Sequence, residues 1–128
     1  MTAWNASYGQ GGGGITSTIT DMGRWGAAEL GSALLSDATA TQRARASQVQ
    51  PGLTYGLGLM DYGDGFLGHS GEAIGWQAQV VHNTETGTTI AMATNACNGA
   101  DLYLFDSIRY TVPITLDPPA SASPAASE

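Results

Sequence analysis

Residues 68–77 read GHSGEAIGWQ, and how His69-Ser70-Gly71 is understood decides how the rest of the chain is assembled. A histidine beside a serine suggests nucleophilic catalysis. A nucleophile, however, needs a base within hydrogen-bond reach and donors aimed at the developing oxyanion, and both must come from elsewhere in the chain. Taken alone, the triplet fits equally well at the end of a hairpin strand that carries no chemistry.

Around the triplet the apolar pattern has a period of two, as a half-buried strand requires. The run YGLGLMDYGDGFLGHSG (55–71) has short apolar stretches on either side of 61–65, a turn rich in Gly and Asp, and so reads as a hairpin. Next, Trp76, Ala78, Val80 and His82 share one face, and NTETG (83–87) turns the chain into a strand over 88–95. Three or four antiparallel strands are expected.

The flanks change to helical spacing. Ile19, Met22, Trp25, Leu30 and Leu34 recur near one helix face, with Thr18 as N-cap and Asp21 in the first turn, which predicts a helix over about 19–33. Ser36 and Asp37 start a second helix, with Pro51-Gly52 as its stop. Leu102, Phe105, Ile108 and Val112 lie about a helical turn apart and predict a closing helix over the sheet. The fold class is therefore α/β in the α+β sense, an antiparallel sheet with flanking helices. Residues 1–14, with GQGGGG at 9–14, are expected to be a flexible N-terminus, 15–112 the folded unit, and 113–128 a disordered Pro/Ala/Ser tail that cannot bury enough apolar surface to offset its ordering entropy.

Composition removes several function classes. The chain has 128 residues, a length for one domain, of which 42% are hydrophobic and 12% charged. No apolar run approaches the roughly 18 residues that a membrane span needs. A net charge of -7, with only Arg24, Arg43, Arg45 and Arg109 as scattered cations, opposes nucleic-acid binding. There is no lysine. Cys97 is alone and reads as a buried, inert thiol, while two histidines with no cysteine cluster do not build a zinc site, so neither metal nor organic cofactor is expected. Trp25 and Trp76 are expected in the core, and His82 as a partly exposed sheet residue. MTAWNASYGQ (1–10) lacks the basic and apolar regions of a signal peptide.

Five pieces then occur in order: GGGITSTITDMGRW (12–25), LLS (34–36), YGLGL (55–59), GHSG with GW (68–71 and 75–76), and ATN (93–95). Over about 12–110 this set resembles the closing portion of the penicillin-recognising serine hydrolases, in the branch of class C β-lactamases and D-alanyl-D-alanine carboxypeptidases. The resemblance implies a partial β-lactamase/penicillin-binding-protein-like fold. It also implies acyl-serine hydrolysis of β-lactam, D-alanyl peptide or ester bonds by a complete enzyme acting on a small-molecule or peptide substrate. His69, Ser70 and Gly71 match the family's substrate-edge triplet in its His-Ser-Gly form, and the N–H of Glu72 would be one oxyanion donor. Ser70 is then not the nucleophile.

The family's nucleophile lies in Ser-x-x-Lys, which a chain without lysine cannot contain, and no Tyr or Ser is followed two residues on by Asn. No catalytic residue is therefore assigned. The chain is expected to be a fragment or truncated member, inactive alone, with the missing N-terminal portion as a partner. Its parent, by the family's work on cell-wall peptides, would be periplasmic or extracellular. Two other readings stand beside this one: a non-catalytic module that binds a peptide or completes a partner chain, and a structural domain with no site.

Overall fold

The computed structural model describes residues 6–30, 34–51, 53–73, 75–96, 104–109 and 111. Leu102, Val112, Cys97 and the expected tail at 113–128 lie outside them. A 3-10 turn (Ala6–Gly9) leads into the one-turn helix α1 (Gln10–Gly13), closed by the Gly14 N–H on the Gln10 carbonyl at 3.1 Å.

Helix α2 (Ile19–Leu30) starts as its sequence requires. The Asp21 N–H donates to Thr18 Oγ1 at 3.1 Å, and the Thr18 hydroxyl donates to Asp21 Oδ2 at 2.9 Å. Such a cap stabilises a helix by about 1 kcal/mol. Met22, Gly26 and Leu30, spaced by four, form the face that meets the sheet. Gly26 sits so close to the sheet that a Cβ there would collide with Val80 Cγ2. Trp25, one residue round the helix from that contact line, is 51% exposed, and Trp76 is 61% exposed. Neither tryptophan belongs to the core, contrary to the sequence expectation.

Helix α3 (Asp37–Ala44) is capped by Ser36 Oγ, which accepts from the Thr39 N–H at 3.3 Å. It ends well before Pro51. The Leu57 N–H donates to the Arg43 carbonyl at 3.1 Å, and Arg43 Nε donates to the Leu57 carbonyl at 3.3 Å, so Leu57 occupies the Arg43 carbonyl that another helical turn would need. An ion pair between Arg43 and Glu29 ties α3 to α2. Ser47–Gln50 is instead strand β1, paired with β2 (Leu53–Tyr55), so that Pro51-Gly52 separates two strands and does not stop a helix.

The sheet continues with β3 (Met60–Asp61), β4 (Phe66–Ala73), β5 (Trp76–Asn83) and β6 (Thr89–Thr94). All six strands are antiparallel in the order β1-β2-β3-β4-β5-β6. The strands beyond the expected three or four come from β1–β3, which are too short to show an apolar period. One face packs Phe66, Val81, Ile90 and Met92 against Phe105 and Ile108 of the helical residues 104–109. The other packs Val80 and Ala91 against Leu30, Leu59 and Met22. The expected closing helix is thus present at 104–109.

His82 is 7% exposed and not a partly exposed sheet residue, because β6 and α2 cover its face. Its Nδ1 is hydrogen-bonded with Thr89 Oγ1 at 2.8 Å, and burial lowers its pKa below the ordinary histidine value. It is a structural residue held by its cross-strand neighbour.

Gly68 is where β4 and β5 approach most closely: a Cβ would collide with the Val80 carbonyl oxygen and stand 2.7 Å from Val81 Cα, both backbone atoms that cannot turn aside. Gly68→Ala should therefore cost about 1–3 kcal/mol of stability. Gly71→Ala, where the added methyl meets nothing within 4 Å, should change it by no more than about 1 kcal/mol. Urea midpoints of the two variants measure the contrast, and equal losses would contradict the packing described for Gly68.

Candidate active site

His69, Ser70 and Gly71 lie inside β4, not at its end, and Glu72 follows in the same strand. Which way their backbone groups point can be read from Phe66. The Tyr62 N–H donates to the Phe66 carbonyl at 3.0 Å, and the Phe66 N–H donates to the Gly63 carbonyl at 3.0 Å. Both groups of Phe66 therefore point away from β5. In an antiparallel pair this direction alternates, and the β4–β5 register is unbroken from Phe66 opposite Asn83 to Ala73 opposite Trp76. Hence Gly68, Ser70 and Glu72 direct their N–H and C=O to the β3 side, while His69 and Gly71 direct theirs to β5.

Strand β3 reaches only to Met60, opposite Gly68. Past that point, among the described residues, β4 has a strand neighbour on the β5 side alone. The backbone groups of Ser70 and Glu72 thus face a margin of the sheet that no described strand covers.

The side chains organise this margin. His69 Nδ1 lies 2.5 Å from the Ser70 carbonyl oxygen, which can only accept, so Nδ1 carries a proton. In the neutral ring Nε2 is then the acceptor, and the Tyr55 hydroxyl, 2.7 Å away, donates to it. The Tyr55 and His69 rings meet edge to face, with centroids 5.6 Å apart and planes at 89°. Ser70 Oγ approaches Met60 Sδ at 3.9 Å, a weak contact. Both imidazole nitrogens are therefore occupied by groups other than the Ser70 hydroxyl, and the two residues do not form a Ser–His dyad. Glu72 Oε2 accepts from Gln77 Nε2 across the strand pair at 3.0 Å.

A groove of about 410 Å³ runs along this part of β4. It is lined by His69, Ser70, Gly71 and Glu72 of β4, by Ala78, Gln79 and Val80 of β5, by Met22 of α2, and by Gly12 and Ile15. All four residues singled out in the sequence are brought together here. Sequence reasoning gave no role to Tyr55, although it belongs to the quoted YGLGL. Met22 is expected only as part of a helix face, and Ile15 carries no expectation of its own. Tyr55 is fourteen residues from His69, and only the pairing of β2, β3 and β4 reveals the contact.

No group of three or more His, Cys, Asp or Glu side chains able to hold a metal occurs among the described residues. No described helix is long and apolar enough to cross a membrane.

Removing the Tyr55 hydroxyl leaves His69 Nε2 without its donor. Tyr55→Phe should therefore increase the share of the Nε2–H tautomer, read from imidazole ¹⁵N shifts of the labelled chain, with the sheet intact by circular dichroism. Unchanged ring shifts in the variant would contradict the assigned hydrogen bond.

The beta-lactamase family model matches residues 1–110, so that it takes in α2, α3, the whole sheet and the helical residues 104–109. No curated protein matches the chain. With the ordered sequence pieces, the antiparallel sheet flanked by helices and this match in agreement, the chain belongs to the beta-lactamase family.

Proposed function

We propose that the chain supplies the substrate-edge wall and one oxyanion donor of an acyl-transfer pocket, in the manner of class C β-lactamases and D-alanyl-D-alanine carboxypeptidases. The serine nucleophile and its lysine are provided by further polypeptide. Family membership supports a serine hydrolase-related function, and the observation that carries the finer reading is the direction of the Glu72 amide, away from β5 and toward the side of β4 on which no described strand pairs beyond Gly68.

The chemistry follows from that direction. A serine oxygen arriving over the groove adds to the carbonyl carbon of the substrate, and the carbonyl oxygen becomes an oxyanion that the Glu72 N–H stabilises by a charge-assisted hydrogen bond. The carbon–nitrogen or carbon–oxygen bond then breaks, the leaving group takes up a proton, and water cleaves the acyl-serine. Loss of one oxyanion donor typically lowers kcat by about 10²–10³. Gly71, with open space at its Cβ position, lets a substrate backbone approach the strand. His69 and Tyr55 hold the Ser70 carbonyl at the pocket's rim.

The same margin favours a second reading. Backbone groups directed outward from a strand can pair with an extended peptide, so the chain could act as a non-catalytic binding module.

Since none of the 128 residues is lysine and His69 is turned away from the Ser70 hydroxyl, the chain alone should form no covalent adduct with a fluorescent penicillin on a denaturing gel. A labelled band that vanishes in Ser70→Ala would sink the proposed division of labour.

A further inference from the structure

We infer that the outer edge of β6 is an interface, and that the strand it takes is β6 of a second copy of this chain, paired antiparallel across a two-fold axis through Ala91. This goes beyond the acyl-pocket reading and does not depend on it.

Which groups β6 directs outward follows from the alternation along the sheet. The Asn83 N–H donates to the Thr88 carbonyl at 2.8 Å, so Asn83 is turned toward β6, and Gln77, Gln79 and Val81, of the same parity in β5, are turned that way too. Their partners Thr94, Met92 and Ile90 point back at β5. Thr89, Ala91 and Ala93 therefore direct their N–H and C=O away from β5, to a side on which no described strand pairs.

The two edge strands of the sheet are built differently. Strand β1 (Ser47–Gln50) is polar apart from Val49, its pairing shifts register between Gln48 and Gln50, and Pro51 follows it directly. These are features that keep an edge from pairing. Strand β6 has none of them. Its register with β5 is unbroken from Thr89 to Thr94, and TTIAMATN (88–95) contains neither a charge nor a proline, in a chain of net charge -7. Ile90 and Met92 are buried on one face, and Ala91 packs against the cluster of Leu30 and Val80 on the other, as in a strand from the middle of a sheet.

A second copy fits because the outward groups are symmetric about Ala91. With the axis at that residue, Ala91 faces Ala91 and Thr89 faces Ala93, so every outward N–H and C=O of 89, 91 and 93 finds a partner. Directly opposite residues share a face. Ile90 thus meets Met92 of the second copy, which extends the apolar cluster built on Phe105. No like charges oppose each other along the seam.

The test is sedimentation velocity of the full 128-residue chain over a dilution series, with amide hydrogen exchange at its two ends. A monomer–dimer equilibrium is expected, with Thr89, Ala91 and Ala93 exchanging more slowly in the concentrated sample. Ala93→Lys, at an exposed position, should weaken the dimer by about tenfold or more, because it brings an unpaired charge to each end of the seam. Val49→Lys, at the exposed side chain of β1, should leave the dimer unchanged. Circular dichroism checks the sheet in both variants, and if Ala93→Lys loses it, the concentration dependence of the three amides in the unaltered chain decides alone. A monomer at every concentration, a dimer indifferent to Ala93→Lys, or one abolished by Val49→Lys would overturn the inference. The first of these, with the three amides exchanging fast, would assign the edge to a strand of other polypeptide, and none of the three would touch the acyl-pocket reading.

Discussion

Eight consecutive residue pairs join β4 to β5, from Phe66 opposite Asn83 to Ala73 opposite Trp76, and the site depends on that ladder having no break. A shift of one residue would turn His69 and Gly71 outward and Ser70 and Glu72 inward, and every side chain of the strand would change face. Two features hold the register. Gly68 lets the backbones of β4 and β5 come together where no side chain fits. Phe66 and Val81 are buried on one side and Val80 on the other, so a slip would expose a core residue whichever way it went.

From this register the polar arrangement follows. The alternation that directs Ser70 outward makes its carbonyl available to the His69 ring, and the ring's other nitrogen is set by Tyr55, brought alongside through the short pairs of β2 and β3. A histidine fixed in this manner orients its surroundings and is poorly placed to act as a base. The same strand lines a groove together with Ile15 and Met22. An acyl carbonyl can be held there, while a reacting hydroxyl has to arrive from another segment.

Much of this was legible in the sequence, for identifiable reasons. Thr18-Ile19-Thr20-Asp21 and Ser36-Asp37 start helices because their side chains satisfy nearby amides in the way a local code can specify. Strands β4 to β6 were legible as short apolar runs between Gly-, Asp- and Asn-containing turns, although packing on both faces along the sheet's centre weakens the alternation there. What could not be read depends on contacts between segments distant in the chain. Trp25 misses the core because Gly26, a residue with no side chain to signal burial, makes the contact with Val80. Helix α3 stops at Ala44 because Leu57 takes the Arg43 carbonyl, and Pro51 mimicked a helix stop while marking a strand connection. His82 looked exposed beside a turn, yet its Thr89 partner and the packing of α2 on β6 bury it. The triplet at 69–71 was found through its ordered neighbours, whereas Tyr55 required the register.

Amide hydrogen exchange along β4 tests the central claim most directly, because it reports which backbone groups are tied into the β5 ladder. The alternation predicts slow exchange at His69 and Gly71 and faster exchange at Ser70 between them. Protection of Ser70 with free exchange at both neighbours would mean that the strand presents its other side, and the proposed acyl pocket would lose its wall.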